Sequence, residues 1–195
     1  MYIDGKTEPV LLQVPDPLSV RALLRQSRAV KHPDYNVAVR HTLESAKVLR
    51  NLGHDVPAPI GSQYRWPGKY KPYAHQQVMA EFMTMHRRCF NLSEMGAMKT
   101  ASTLWAADWL MTKGFIRRAL IVAPIGTLER VWQTDIFDVL MHRNVSMLRG
   151  TREKRLEALA QPADFYIINH DGLTIEPIFE ALRRRPDIDL IIVDE

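Results

Sequence analysis

One cysteine, Cys89, stands among 195 residues, which excludes an internal disulfide framework and fits a reducing compartment. It reads as a small apolar side chain near a helix end. No apolar run approaches the roughly 20 residues that cross a bilayer. The opening Met1-Tyr2-Ile3-Asp4-Gly5 lacks the basic and apolar regions of a secretory leader. A cytoplasmic protein with no membrane partner is expected. Internal repeats and low-complexity tracts are missing too, and His32, His41, His54, His86 and His142 show no metal-ligand spacing.

What is present is ordinary for a globular chain, with 46% apolar and 25% charged residues. The length suits one to two domains with a real core. A formal net charge of +4 is compatible with a nucleic-acid partner without requiring one.

Residues 1–60 read as a small α/β segment. Its expected strands are Val10–Val14 and Asn36–Val39, and its expected helices Ser19–Arg28 and Leu43–Leu52. The Pro- and Gly-punctuated stretch to Gly68 marks a linker over 61–70. From residue 71 helices and short apolar strands alternate. Helices are expected over 74–88, Lys99–Met111, Leu128–Leu140, Arg152–Leu159 and Ile175–Arg184. Strands are expected at Phe90–Leu92, Ala119–Ala123, Val145–Leu148, Phe165–Ile168 and Leu190–Val193. Strands apolar on both faces between helices argue for an open, mostly parallel sheet. Such sheets gather ligands at the carboxyl ends of their strands.

Two of those strand ends carry chemistry. Ser93-Glu94-Met95-Gly96-Ala97-Met98-Lys99-Thr100 follows an expected strand and opens a helix. Phosphate binding there needs inward N–H groups, a helix N-terminus, a lysine for the β- and γ-oxygens and a hydroxyl for Mg²⁺. A plain exposed strand-to-helix turn with a solvated lysine is the alternative. Leu190-Ile191-Ile192-Val193-Asp194-Glu195 ends an apolar strand on two acids, the form in which an aspartate holds Mg²⁺ and a glutamate polarises water. Because this strand ends without a turn or covering crossover, a fragment of a longer protein is expected.

These blocks resemble the Swi/Snf-type helicases of superfamily two. Residues 93–100 look like motif I, and Lys71-Pro72-Tyr73-Ala74-His75-Gln76 resembles the adenine-reading Q-type motif. Residues 119–128 followed by Trp132 are similar to motif Ia, Tyr166–Leu173 to motif Ib, and Val193-Asp194-Glu195 to the start of motif II. The blocks stand in the family's order across residues 71–195, and the small first segment resembles phage and bacterial members, which would place the protein in a host cytoplasm if phage-encoded.

The resemblance implies a RecA-like P-loop lobe, α/β in class, with the N-terminal α/β segment as an accessory. It implies ATP and Mg²⁺ as ligands. Gln76 would read adenine; Glu94, Met95, Gly96, Ala97, Met98, Lys99 and Thr100 would cradle the phosphates. Thr100 and Asp194 would hold the metal, with Lys99 and Glu195 catalytic. Thr127, Asn169 and His170 would contact phosphates of duplex DNA. The family moves along DNA by closing two lobes with arginine fingers on the second, so this lobe alone should hydrolyse ATP barely.

Three alternatives stay in view. Gln76 and Thr127 also suit helix N-terminal polar roles, and Trp132 sits at core spacing from Leu128 and Ile136. Arg183-Arg184-Arg185 suits a solvated helix end. One position departs from the pattern: Met98 replaces the glycine before the lysine, which is expected to weaken ATP binding by ~1–3 kcal/mol. A decayed nucleotide- or DNA-binding module is the rival function.

Overall fold

The structure, a computed structural model, describes residues 9–94 and 96–194. Two compact units form. One takes the chain up to Arg65 together with Glu81–Arg88, and the other takes Trp66–Ala80 together with the chain from Cys89.

The first unit contains β1 (Pro9–Leu12), α1 (Pro17–Leu23), β2 (Ser27–Ala29), β3 (Val37–Arg40), α2 (Leu43–Asn51) and α3 (Pro59–Gln63). Its antiparallel sheet has the order β1-β3-β2. Central β3 buries Val37, Ala38 and Val39, with Leu49, Val56 and Ile60 completing a core. Asp16 caps α1, with proline at its first position, and Thr42 with Ser45 forms a reciprocal capping box on α2. The expected helix 19–28 stops at Leu23, because residues 27–29 pair with β3 instead. Helix α3 forms within the expected loop, its first position a proline.

Helix α4 (Ala74–Met85) begins in the second unit. There follow α5 (Lys99–Thr112), β4 (Arg118–Ala123), a π-helical turn at Leu128–Gln133, α6 (Thr134–Val139) and β5 (Val145–Met147). The chain continues through α7 (Arg152–Ala160), β6 (Phe165–Asn169), α8 (His170–Leu173), α9 (Glu176–Arg183) and β7 (Ile188–Val193). The four strands are all parallel, in the order β5-β6-β4-β7. Parallel neighbours require crossovers, and the intervening helices supply them. One face of the sheet presents Leu120, Val122, Tyr166 and Ile168 to Leu159 of α7 and Ile178 of α9. The alternate residues Ala119, Ile121, Phe165 and Ile167 are buried on the opposite face, as a sheet covered on both sides demands.

Two expectations fail here. Phe90-Asn91-Leu92 forms no strand, and Phe90 and Leu92 are 86% and 90% exposed. The Asn91 side chain accepts from the Ser93 N–H at 3.2 Å, and the Ser93 hydroxyl bonds Asn91 Oδ1 at 2.7 Å. Such a local turn competes with a ladder for the same backbone groups. The expected single helix over 128–140 is also split. The carbonyl of Thr127 accepts from both Val131 and Trp132, widening the first turn before α6 resumes the ordinary pitch. Among the described residues β7 is an edge strand, and it alternates between half-buried and exposed positions rather than burying both faces.

Candidate nucleotide and nucleic-acid site

The predicted site residues fall into two groups within the second unit. The first surrounds the start of α5. Lys99 is the first residue of this 14-residue helix, whose N-terminus has no side-chain cap, so its leading N–H groups keep their partial positive charge. The Lys99 Nζ donates to the Ser93 carbonyl at 2.9 Å, reaching back to the residue that opens the loop. Thr100 follows, half-buried.

Within that loop Gly96 has φ +81° and Met98 has φ 52°, ψ 46°, both left-handed. A Cβ on Gly96 would meet open space, so its backbone angle rather than crowding favours glycine there. Met98 adopts the conformation for which glycine is the usual choice, with its side chain half exposed. Glu94 is exposed and its carbonyl accepts from the Ala97 N–H at 3.3 Å. Met95 and Glu195, each given a role above, lie outside the described residues.

Gln76 is buried at 1% exposure, and its amide is engaged at both ends. Oε1 accepts from the Tyr73 N–H at 2.9 Å and Nε2 donates to the Met98 carbonyl at 3.4 Å. As third residue of α4, reaching back to the residue before the helix, Gln76 forms half of a capping box. It thereby ties the start of α4 to the loop before Lys99. Contact with a base would require it to exchange these bonds.

The second group lines the carboxyl edge of the parallel sheet. Asp194 follows β7, its N–H donating to the Val122 carbonyl at 2.9 Å. Thr127 follows β4, and both its N–H and its hydroxyl donate to the Pro124 carbonyl, at 3.0 and 2.9 Å. It does not cap the turn that follows. Asn169 ends β6 and is 5% exposed; its Oδ1 accepts from Arg155 Nη1 at 3.0 Å. His170 opens α8, and its Nε2 is buried with no hydrogen-bond partner among the described residues. Among the described residues no hydrogen bond or ion pair joins this group to the one around Lys99.

Two further residues belong to this edge. Trp132 is 3% exposed and its indole N–H donates to Asp194 Oδ2 at 2.8 Å. Core spacing explains the burial but gave no sign of the bond. Arg155 is buried, with its guanidinium on the carbonyls of Leu148 and Gly150 and on Asn169. Its position four residues before Leu159 places it on the apolar side of α7, a legible oddity for an arginine. Gly172 makes room for this guanidinium, since a Cβ there would lie 2.5 Å from Arg155 Nη1.

A cation at an uncapped helix start, a hydroxyl beside it and left-handed residues in the preceding loop fit a phosphate chain in chemistry. Among the described residues no group of three or more His, Cys, Asp or Glu could hold a metal. Also among the described residues, no helix is long and apolar enough to cross a membrane.

A solved structure resembles this chain. It is the SWI2/SNF2 ATPase core of Sulfolobus solfataricus in complex with dsDNA, at 14% identity and a TM-score of 0.50. The match covers 66% of this chain and 32% of that one, so the chain spans about a third of its neighbour. The fold is RecA-like. No family model and no curated protein sequence matches, so the likeness is one of architecture, a parallel sheet flanked by helices.

Proposed function

We propose that this chain is the ATP-binding lobe of a DNA-dependent ATPase of the Swi/Snf-like type, which in a complete protein couples hydrolysis to movement along duplex DNA. The observation that carries the proposal is Lys99 at the uncapped start of α5, bonded to the Ser93 carbonyl and preceded by the left-handed Gly96 and Met98. The RecA-like architecture and an aspartate at the end of β7 support it.

In this reading the loop 94–98 and the start of α5 bind the phosphates through backbone N–H groups, and Lys99 leaves the Ser93 carbonyl to neutralise the β- and γ-oxygens. Thr100 and Asp194 would hold Mg²⁺, which supplies charge neutralisation of the triphosphate. Glu195 would orient and deprotonate the attacking water. Thr127, Asn169 and His170, on the edge where strand-end ligands gather, would approach DNA phosphates after exchanging their present partners. A second lobe would supply the arginine that raises the rate by ~10³–10⁵. The chain alone would then bind ATP far better than it turns it over.

Titration with a fluorescent ATP analogue tests this. Saturable binding is expected, with Lys99→Ala weakening it on the order of tenfold or more, since a charge-assisted contact is worth about 1.5–3 kcal/mol. Binding that is absent, or indifferent to Lys99, rejects the proposal. The rival, a decayed module, draws on the left-handed Met98 and the engaged Gln76; it predicts DNA binding without nucleotide binding.

A further inference from the structure

Asp194 is fixed from two directions. Its main chain extends the parallel ladder through the bond to Val122, and its carboxylate accepts the indole N–H of Trp132. An indole N–H can only donate, so this bond assigns Oδ2 to the tryptophan and leaves Oδ1 for other partners. Because Trp132 is buried, water cannot readily replace the indole, and the carboxylate's rotation is set.

Burial alone does not demand such a partner. Trp105, equally deep in this unit, donates to the Pro67 carbonyl at 2.9 Å, and Trp109 is buried with its N–H unpartnered among the described residues. The core thus accepts a backbone acceptor or none, whereas Trp132 meets a carboxylate. The donor is also neutral. An arginine or lysine there would orient the acid equally well but would compete with a bound cation; an indole orients it while leaving its full charge. The wide turn sets the indole's position, since the Trp132 N–H bonds the Thr127 carbonyl five residues back rather than four. Single π-type turns of this kind recur at functional sites.

We propose that Trp132 is the positioning residue of the metal site, holding one oxygen of Asp194 so that the remaining carboxylate is preorganised for Mg²⁺. This rests on the ATP-binding reading above. Outer-shell donors of this sort typically change metal affinity by about 10–100-fold.

The test uses the full chain and a fluorescent ADP analogue, titrated with Mg²⁺ and separately in chelator. Trp132→Phe keeps the ring and removes the donor. It should raise the Mg²⁺ concentration needed for tight binding on the order of tenfold, well beyond any loss of metal-free binding. Asp194→Ala should abolish the Mg²⁺ effect. If the Phe variant's Mg²⁺ titration overlays the parent's while Lys99→Ala still destroys binding, the positioning role is overturned and the ATP reading stands. A parent that binds no nucleotide overturns both. Should Trp132→Phe fail to fold, indole ¹⁵N–H spectra of the parent decide. The chain has four tryptophans; one indole resonance should move in Asp194→Ala, and the same one when Mg²⁺ joins the nucleotide complex. Spectra in which none moves overturn the proposal.

Discussion

Met98 carries a backbone conformation that a side chain resists. A non-glycine residue in the left-handed region costs about 1–2 kcal/mol, while glycine adds about 0.5–1 kcal/mol of chain entropy to be lost on folding. Met98→Gly should therefore raise stability by ~0–1.5 kcal/mol, as read from denaturant unfolding. Nucleotide should bind it more tightly than the parent, because glycine removes a side chain beside the phosphate loop; equal affinity would show that Met98 does not impair the site. The departure from glycine was legible in the sequence, and the backbone at Met98 is left-handed as a glycine position would be. The partners of Gln76 were not legible. An amide suited to a base edge serves equally well to cap a helix, and only the fold, which brings Met98 within reach, chose between them.

At the scale of elements, the start of β7 is clamped to the start of β4. Arg185, two residues beyond α9, bonds Asp187 through two nitrogens, at 2.8 Å each, and Asp187 also pairs with Arg118. Arg117 in turn bonds Asp189 through its side chain at 3.1 Å and its N–H at 2.8 Å. The expected solvated run 183–185 is thus divided: Arg183 and Arg184 are exposed, and Arg185 is recruited, stacking on Tyr166 as well. The Arg185 guanidinium holds the Asp187 carboxyl well below the ordinary carboxylate range. A depressed folded-state pKa contributes stability above the unfolded value, near 3.9, and loses it as pH falls through the folded value. Asp187→Asn should accordingly destabilise most at neutral pH, with the gap to the parent closing below about pH 4. Thermal unfolding across that range checks it; a gap that is constant with pH would show that the pair contributes by shape alone. The helices and strands of this unit were legible because each crossover repeats a simple alternation. The missing strand at 90–92 was not, because an asparagine two residues before a serine offers the backbone a rival turn that hydropathy does not register.

Across the whole molecule, the proposed DNA contacts lie along one sheet edge and are mostly neutral donors, on a chain whose net charge is only +4. Binding to duplex DNA should be weak, sequence-indifferent and salt-dependent, with log affinity falling by about 0.9 per phosphate neutralised for each decade of salt. Fluorescence anisotropy with two unrelated duplexes at two salt concentrations measures this. A strong preference for one duplex, or affinity unmoved by salt, would point away from backbone recognition.

By itself the sequence determined the α/β class and the parallel character of the main sheet, but not the strand expected before the loop at 93–100, which does not form. The class and the sheet's character depend on local periodicity, which side-chain order writes directly into the chain. Tertiary structure decided the partners: Trp132 for Asp194, sixty-two positions away, Arg155 for Asn169, and the loop before Lys99 for Gln76. A hydrogen bond depends on ångström-scale distance and direction, and between residues far apart in the chain both are fixed only when the crossovers have packed.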